Sequence, residues 1–354
     1  MKTLRPILML VSFLIVTVNA AAQTSPAPPA AQTPSSTPAS KPKAKPVAKK
    51  PATPAATPVP SATPTATVVP APAPDDPNID LVYGAYQRGM YKTTFDLATK
   101  RAQENGDPKA MTMLGELYAN ALGVKRDDAT AASWFRRAAD GGDREAMFEL
   151  AMLRLAGRGG PANREEAAKL LASSAKLGNP KAAYNLALLY LDGQTLPQDL
   201  RRAAELLRLA ADAGNPEAQY ALATFYKEGT GVPKDVEKAV RLLQAASLAD
   251  NVDAEVEYAI ALFNGTGTPK NEPAAVALLR KAARQNNPVA QNRLARVLAS
   301  GQGTPVDKVE ALKWHLIAKT AGKGDPALDE ALANLSPEDR ARAETAVRKW
   351  LGAK

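Results

Sequence analysis

Three short stretches of this 354-residue chain carry residue types that do chemistry. At 227–235, "KEGTGVPKD" sets two glycines one residue apart with Lys234 close behind, and the backbone N–H groups of such a turn can cradle a phosphate. Ser173-Ser174-Ala175-Lys176 places a serine three residues before a lysine, the spacing that holds a lysine beside the nucleophilic serine of penicillin-recognising enzymes. His315, next to Trp314, is the one histidine, and its side-chain type titrates near neutral pH, as a general base needs.

Each stretch lacks the rest of its machinery. No Gly-x-x-x-x-Gly-Lys-Ser/Thr loop occurs, and the serine–lysine pair has no companion Ser-Asp-Asn or Lys-Thr-Gly segment. His315 stands without a partnering nucleophile, and the acidic residues are scattered with no metal-ligand spacing. Cysteine is absent, which excludes disulfides, thiolate metal sites, a cysteine nucleophile and lipid attachment at a mature N-terminus. The sequence therefore assigns no catalytic residue, no metal and no cofactor.

The elements that carry these stretches explain them better. Gly106, Gly142, Gly178 and Gly214 recur at a step of 36, and the same step lands on Asp250, Asn286 and Gly322. Four residues after each start stand Ala110, Ala146, Ala182, Ala218, Ala254 and Ala290. Fifteen after it come Gly157, Gly193, Gly229, Gly265 and Gly301, with Ala121 as the departure. The chain holds six copies of a 36-residue unit, so "GTG" at 229–231 is one of a series with "GRG" at 157–159 and "GQG" at 301–303. Lys234 is not repeated; Ala162, Gln198, Lys270 and Val306 are its equivalents.

Every repeated position has a local reason. The opening Gly, Asp or Asn suits the left-handed residue that ends a helix. The Asp or Asn after it caps the next helix, and Pro108, Pro180, Pro216 and Pro288 fit its first turn. A helix A of about 12 residues then carries apolar residues at helical spacing, such as Ala182, Leu186, Leu189 and Tyr190, until the Gly-x-Gly segment stops it. Asp199 or its equivalent caps helix B, with Ala203, Leu206, Leu207, Ala210 and Ala211. A helix–turn–helix unit cannot cover its own apolar stripe, so the expected fold is all-α, an α/α solenoid of stacked units. The expected organisation is a signal peptide at 1–22, a linker at 23–77, an N-terminal capping helix pair at 78–106, six repeats at 107–322 and C-terminal capping helices at 323–354. Gly89 marks the turn of the first cap, and Ser336-Pro337-Glu338-Asp339 opens the last helix with a capping-box pattern.

The run from Asn215 to Ala246, "NPEAQYALATFYKEGTGVPKDVEKAVRLLQAA", resembles the Sel-one-like repeat (SLR), a relative of the tetratricopeptide repeat. Alanine, paired glycines, acidic cap and alanine pair recur in register over about 107 to 322. Thr195 in place of the second glycine, Ala121 in place of the first, and Leu262 and Leu298 in place of a tyrosine are the departures. The resemblance implies a right-handed superhelix used to assemble proteins. It also implies a bacterial layout in which such chains are exported regulators or envelope scaffolds, some controlling membrane sensor kinases.

The N-terminus fits export. Lys2 and Arg5 precede an apolar run from Ile7 to Val18 and the small residues Asn19-Ala20-Ala21-Ala22, a secretory signal cleaved after Ala20 or Ala22. At 12 residues the run falls short of the roughly 18 a spanning helix needs, although an uncleaved inner-membrane anchor is the other reading. The expected location is periplasmic or secreted. Residues 23–77 are built mainly from Ala, Pro, Thr, Ser and Lys, the composition of a disordered tether. The net charge of +9 falls to +4 over 78–354, so nucleic acid is not an expected partner. The lysines at 41–50 are either solvated or touch anionic envelope polymer.

Binding residues are sought where side chains are not spent on the fold. On a helical wheel of helix A, offsets six and ten from the repeat start point away from the core stripe. Phe148 and Met152, Tyr184 and Leu188, Tyr220 and Thr224, Val256 and Ile260 stand there. These eight are the candidate partner-binding residues, forming an apolar ladder for an extended peptide or partner helix on a concave helix A face. The other reading packs them between neighbouring A helices. The expected function is an exported, non-enzymatic interaction scaffold or regulator with a protein partner such as a membrane sensor or envelope complex. A peptidoglycan-associated binding protein or envelope hydrolase is the alternative.

Overall fold

The computed structural model describes residues 80–352. The expected signal peptide, the tether and residues 78–79 of the first cap lie outside the described residues, as do 353–354. Among the described residues there are sixteen helices and no strand. A short pair, α1 (Leu81–Gln87) and α2 (Tyr91–Asn105), turns at Gly89. Six pairs of 13-residue helices follow. The A helices are α3 (Pro108–Asn120), α5 (Arg144–Ala156), α7 (Pro180–Asp192), α9 (Pro216–Glu228), α11 (Val252–Asn264) and α13 (Pro288–Ser300). The B helices are α4 (Asp128–Asp140), α6 (Arg164–Lys176), α8 (Leu200–Asp212), α10 (Val236–Leu248), α12 (Glu272–Arg284) and α14 (Lys308–Thr320). The chain closes with α15 (Pro326–Ala331) and α16 (Pro337–Trp350).

Capping sets both ends of each element. Asp143, Asn179, Asn215, Asn251 and Asn287 each accept from the N–H three residues on, at 2.7–3.0 Å, and so start an A helix. Asn163, Asp199, Asp235, Asn271 and Asp307 do the same for the B helices at 2.8–3.1 Å. Each such cap contributes about 1 kcal/mol. The A helices end on a left-handed residue, and Ala121 takes that conformation at φ 56 at a cost of ~1–2 kcal/mol relative to glycine.

The solenoid is held by alternating contacts. Each A helix packs on its own B helix, and each B helix packs on the next A helix. The recurring alanines Ala146, Ala182, Ala218, Ala254 and Ala290 are fully buried, so no larger side chain fits there without moving a helix. Gly115 of α3 faces Phe135 of α4 so closely that a Cβ on it would lie 2.5 Å from the ring. Later repeats hold Ala151, Ala187, Ala223, Ala259 and Ala295 at the glycine's position, with leucine opposite in Leu171, Leu207, Leu243 and Leu279. Small against large recurs in every unit, with His315 in the large position of the last.

Polar links tie one repeat to the next. Arg158 pairs with Asp128 at 2.8 Å, Arg164 with Asp192 at 2.8 Å and Arg280 with Glu310 at 2.8 Å. Gln219 and Gln291 each donate 3.2 Å to a carbonyl near the end of the preceding B helix, Ala211 and Ala283. In the repeat between them the position is Glu255, which has no N–H to give; it is fully buried and pairs with Lys281 at 2.7 Å.

Helices also pack on the C-terminal end of the repeats. Ser336 accepts from the Asp339 N–H at 3.1 Å and starts α16, whose Trp350 meets Trp314 edge-on at 5.1 Å between ring centroids. The six-residue α15 is anchored by buried Asp325, which accepts from the Ala327 N–H at 3.1 Å and pairs with Arg296 of α13 at 2.5 Å.

The Gly-x-Gly turn is spent on this stacking. The N–H groups of Gly229 and Thr230 both donate to the Phe225 carbonyl, at 2.8 and 3.0 Å, which takes them away from any phosphate. Gly231 abuts the start of the preceding B helix: at φ +65, a Cβ there would stand 2.3 Å from the Leu200 carbonyl oxygen. Thr195, the threonine in the same series, avoids positive φ and accepts a 2.8 Å bond from Arg164. Gly231→Ala is expected to lower stability by about 2 kcal/mol or more, and Gly229→Ala by about 1 kcal/mol. Urea denaturation of the two variants checks the order; equal losses would refute the collision.

Candidate functional site: the helix A face

The two remaining catalytic candidates are committed to the fold. Ser173 is exposed on α6 and its hydroxyl donates 3.1 Å to the Lys169 carbonyl of its own helix. His315 is fully buried on α14, with Nε2 at 2.8 Å from an Asp329 carboxylate oxygen that Lys319 also binds at 3.1 Å. Its Nδ1 has no hydrogen-bond partner. Among the described residues no group of three or more His, Asp or Glu converges as metal ligands. None of their helices is long and apolar enough to cross a membrane.

The eight ladder residues do not stand on a wet face. Phe148, Tyr184, Leu188 and Val256 are buried, at 8, 6, 7 and 4% exposure, and Met152, Tyr220, Thr224 and Ile260 are half-buried. Of the two readings, packing between neighbouring A helices describes the buried four. A wheel drawn around one helix A counts only its own B helix as a neighbour, whereas the next A helix closes over offsets six and ten. Phe148 and Met152 of α5 join a cluster with Leu186, Leu189 and Tyr190 of α7. The Lys181 ammonium of α7 lies 5.9 Å over the Phe148 ring. Val256 and Ile260 share a cluster with Leu294 and Val297 of α13. Burial, with the charge of Glu217 on the following A helix, pushes the Tyr184 hydroxyl well above its ordinary pKa, and that hydroxyl has no hydrogen-bond partner.

What the helix A face offers to solvent includes charge and a cleft. Toward the N-terminal end, burial and the neighbouring Glu149 raise the Glu116 carboxyl to about 7, with Lys181 opposing. Glu149 is raised mainly by burial as well. In the last repeat the face turns basic, with Arg293 and Arg296 both exposed on α13. Between α11 and α13 lies a half-open cavity of about 210 Å³. Ile260, Phe263, Leu279 and Val297 supply its apolar lining, and Arg293, Arg296, Asn264 and Gln302 its polar lining. Of the expected binding residues only Ile260 reaches it. No periodicity in the sequence signals the cavity, because it depends on how much volume two neighbouring helices leave unfilled.

Comparison with known proteins places the fold. The family model described as "Sel1 repeat" matches six consecutive blocks, 108–143, 144–179, 180–215, 216–251, 252–287 and 288–323. A solved Sel1 repeat protein from Oxalobacter formigenes is similar at 27% identity and TM-score 0.60, over 68% of this chain and 98% of that one. A protective antigen of uropathogenic Escherichia coli strains, c5321, which displays an SLR fold, is similar at 25% identity and TM-score 0.54. That match covers 73% of this chain and 64% of the antigen. No curated protein matches the chain.

The crowded carboxylates give a pH dependence. Because Glu116 keeps its proton to about 7 in the fold against an ordinary 4.5, the native state binds more protons than the unfolded one between those values. Stability therefore falls as pH rises through that window and is unaffected by this group below it. Glu116→Gln is expected to melt above the wild type at pH 8 and to converge with it near pH 4.5. Thermal unfolding across pH 4–8 measures this, and a wild type that gains no stability relative to the variant on acidification would refute it.

Proposed function

The chain belongs to the Sel1 repeat family, whose members act as protein–protein interaction scaffolds, and on that premise we propose that it is an exported, non-enzymatic scaffold or regulator of the bacterial envelope. The observation that carries this reading is the division of labour within each repeat. Alanines, caps and glycines are spent on stacking, while the charged offsets of helix A, from Glu149 through Lys181 and Asp253 to Arg293, vary in sign from repeat to repeat. A surface whose chemistry changes while its scaffold repeats is suited to recognising one extended partner.

The proposed partner surface is the helix A face. Half-buried Met152, Tyr220, Thr224 and Ile260 would meet the partner directly, and buried Phe148, Tyr184, Leu188 and Val256 would set the shape beneath. Export rests on the signal pattern of residues 1–22, with a protein of the membrane or envelope as the class of partner.

Affinity purification of the tagged full-length chain from envelope extract tests the surface. The double variant Lys181→Glu/Asn185→Arg, on α7 of the A face, is expected to lose the partner that wild type retains. Leu209→Ser, at an exposed leucine of the B helix α8, is expected to keep it. An A-face variant that stays folded and retains every partner would defeat the proposal. Sequencing the N-terminus of the exported chain is expected to start after Ala20 or Ala22; a chain still beginning at Met1 would instead favour the anchored form.

A further inference from the structure

The cleft between α11 and α13 has the size and chemistry of a pocket for one side chain. At about 210 Å³ it is smaller than the ~300–1,000 Å³ of drug-sized ligand sites, yet larger than the ~150 Å³ that holds a benzene ring. Leu279 and Val297 are buried beneath it, and Ile260 and Phe263 are half-buried at its sides. One leucine or phenylalanine inserted there would leave water for an apolar floor.

The charges around the pocket are polarised. Arg293 lines it, is exposed, and makes no ion pair among the described residues, whereas Arg296 is held by Asp325. A guanidinium beside an apolar pocket is a ready partner for a carboxylate, which it can bind with two parallel N–H donors. Asp253, at the start of α11, accepts 3.1 Å from the Asn287 side chain at the start of α13 and, like Glu217 at the start of α9, lacks an ion pair among the described residues. The charge of each acts on a tyrosine of the preceding A helix, half-buried Tyr220 and buried Tyr184 respectively, which puts both on the same face. Adjacent packed helices lie roughly 8–10 Å apart and an extended chain rises about 3.3 Å per residue, so one step between A helices spans about three peptide residues.

We infer that this cleft takes an extended peptide of a partner protein whose apolar side chain fills the pocket, with a carboxylate on the Arg293 side and a basic residue on the Asp253 side. The inference deepens the scaffold reading by naming what the helix A face recognises. Order matters more than net charge: base, apolar anchor and acid must follow one another at about three-residue intervals to span α9 to α13. The same order fixes chain direction, since a peptide inverted end for end would set its acid against Asp253 and its base against Arg293.

The test uses the purified full-length chain and fluorescein-labelled synthetic peptides, read by anisotropy. The parent peptide carries two lysines, a leucine and two aspartates in that order with glycine spacers; the others replace leucine by alanine, aspartates by lysines, or alternate the charges. The parent is expected to saturate, and the alanine and alternating peptides to bind at least tenfold more weakly. Arg293→Glu, an exposed change that leaves the core alone, is expected to weaken the parent at least tenfold and to prefer the peptide whose aspartates became lysines. Val297→Phe, which fills the pocket from below, is expected to weaken the leucine peptide, with its melting temperature confirming a folded chain.

No saturation by the parent, equal binding of the alanine peptide, or indifference to Arg293→Glu would each overturn the inference. These readouts use no cellular partner, so they fail independently of the purification experiment. Loss of the envelope partner in the α7 variant with no peptide binding would leave a scaffold that recognises something else.

Discussion

Everything in this molecule hangs on how closely helix A is allowed to approach helix B. The distance is set by one position on A that must be small and one on B that must be large: Gly115 against Phe135 in the first repeat, alanine against leucine in the next four. Where the B residue grows, the A residue shrinks, so the interhelical space stays filled without strain. A fixed approach fixes where the next B helix begins, and Gly231 can then lie against the Leu200 backbone with no room for a Cβ. The 36-residue period is the sequence record of that geometry.

Much of the fold could be read because its causes are local. A cap at Asn215, a proline at 216 and a left-handed glycine at 229 need only their own helix to act, and all three serve as their residue types imply. The Gly-x-Gly turn was legible for the same reason: recurrence argued for geometry, and the Phe225 carbonyl is where its N–H groups go. Exposure was less legible. The periodicity of one helix locates the side facing helix B, but the burial of Tyr184 or Val256 depends on a second A helix a whole repeat away. The same limit hid the pairing of Glu255 with Lys281, the anchoring of α15 through Asp325 and the cleft beside Ile260. Each joins side chains of different helices: Glu255 and Lys281 are 26 residues apart, Arg296 and Asp325 29.

Function on such a frame is a matter of which side chains the stacking leaves over. The buried alanines and the caps recur with little change, whereas Glu149, Lys181, Asp253 and Arg293 could not be exchanged without rewriting the charge along the face. His315 shows the converse: a chemically capable residue that lies in the core of the last repeat, tied to Asp329 of α15 and closed off from solvent.

The alternating contact pattern has a mechanical side. Since the main packing of each repeat helix is on the one before and the one after, no strong clamp spans several of the described repeats, and α1 and α16 lie at the ends. A load applied along the stack would not find one weak joint and break it. It would peel units singly from an end, each surrendering 36 residues, on the order of 120 Å of slack at ~3.3–3.6 Å per residue. A chain of this build yields by lengthening in instalments, the behaviour of an extensible strap rather than a rigid strut.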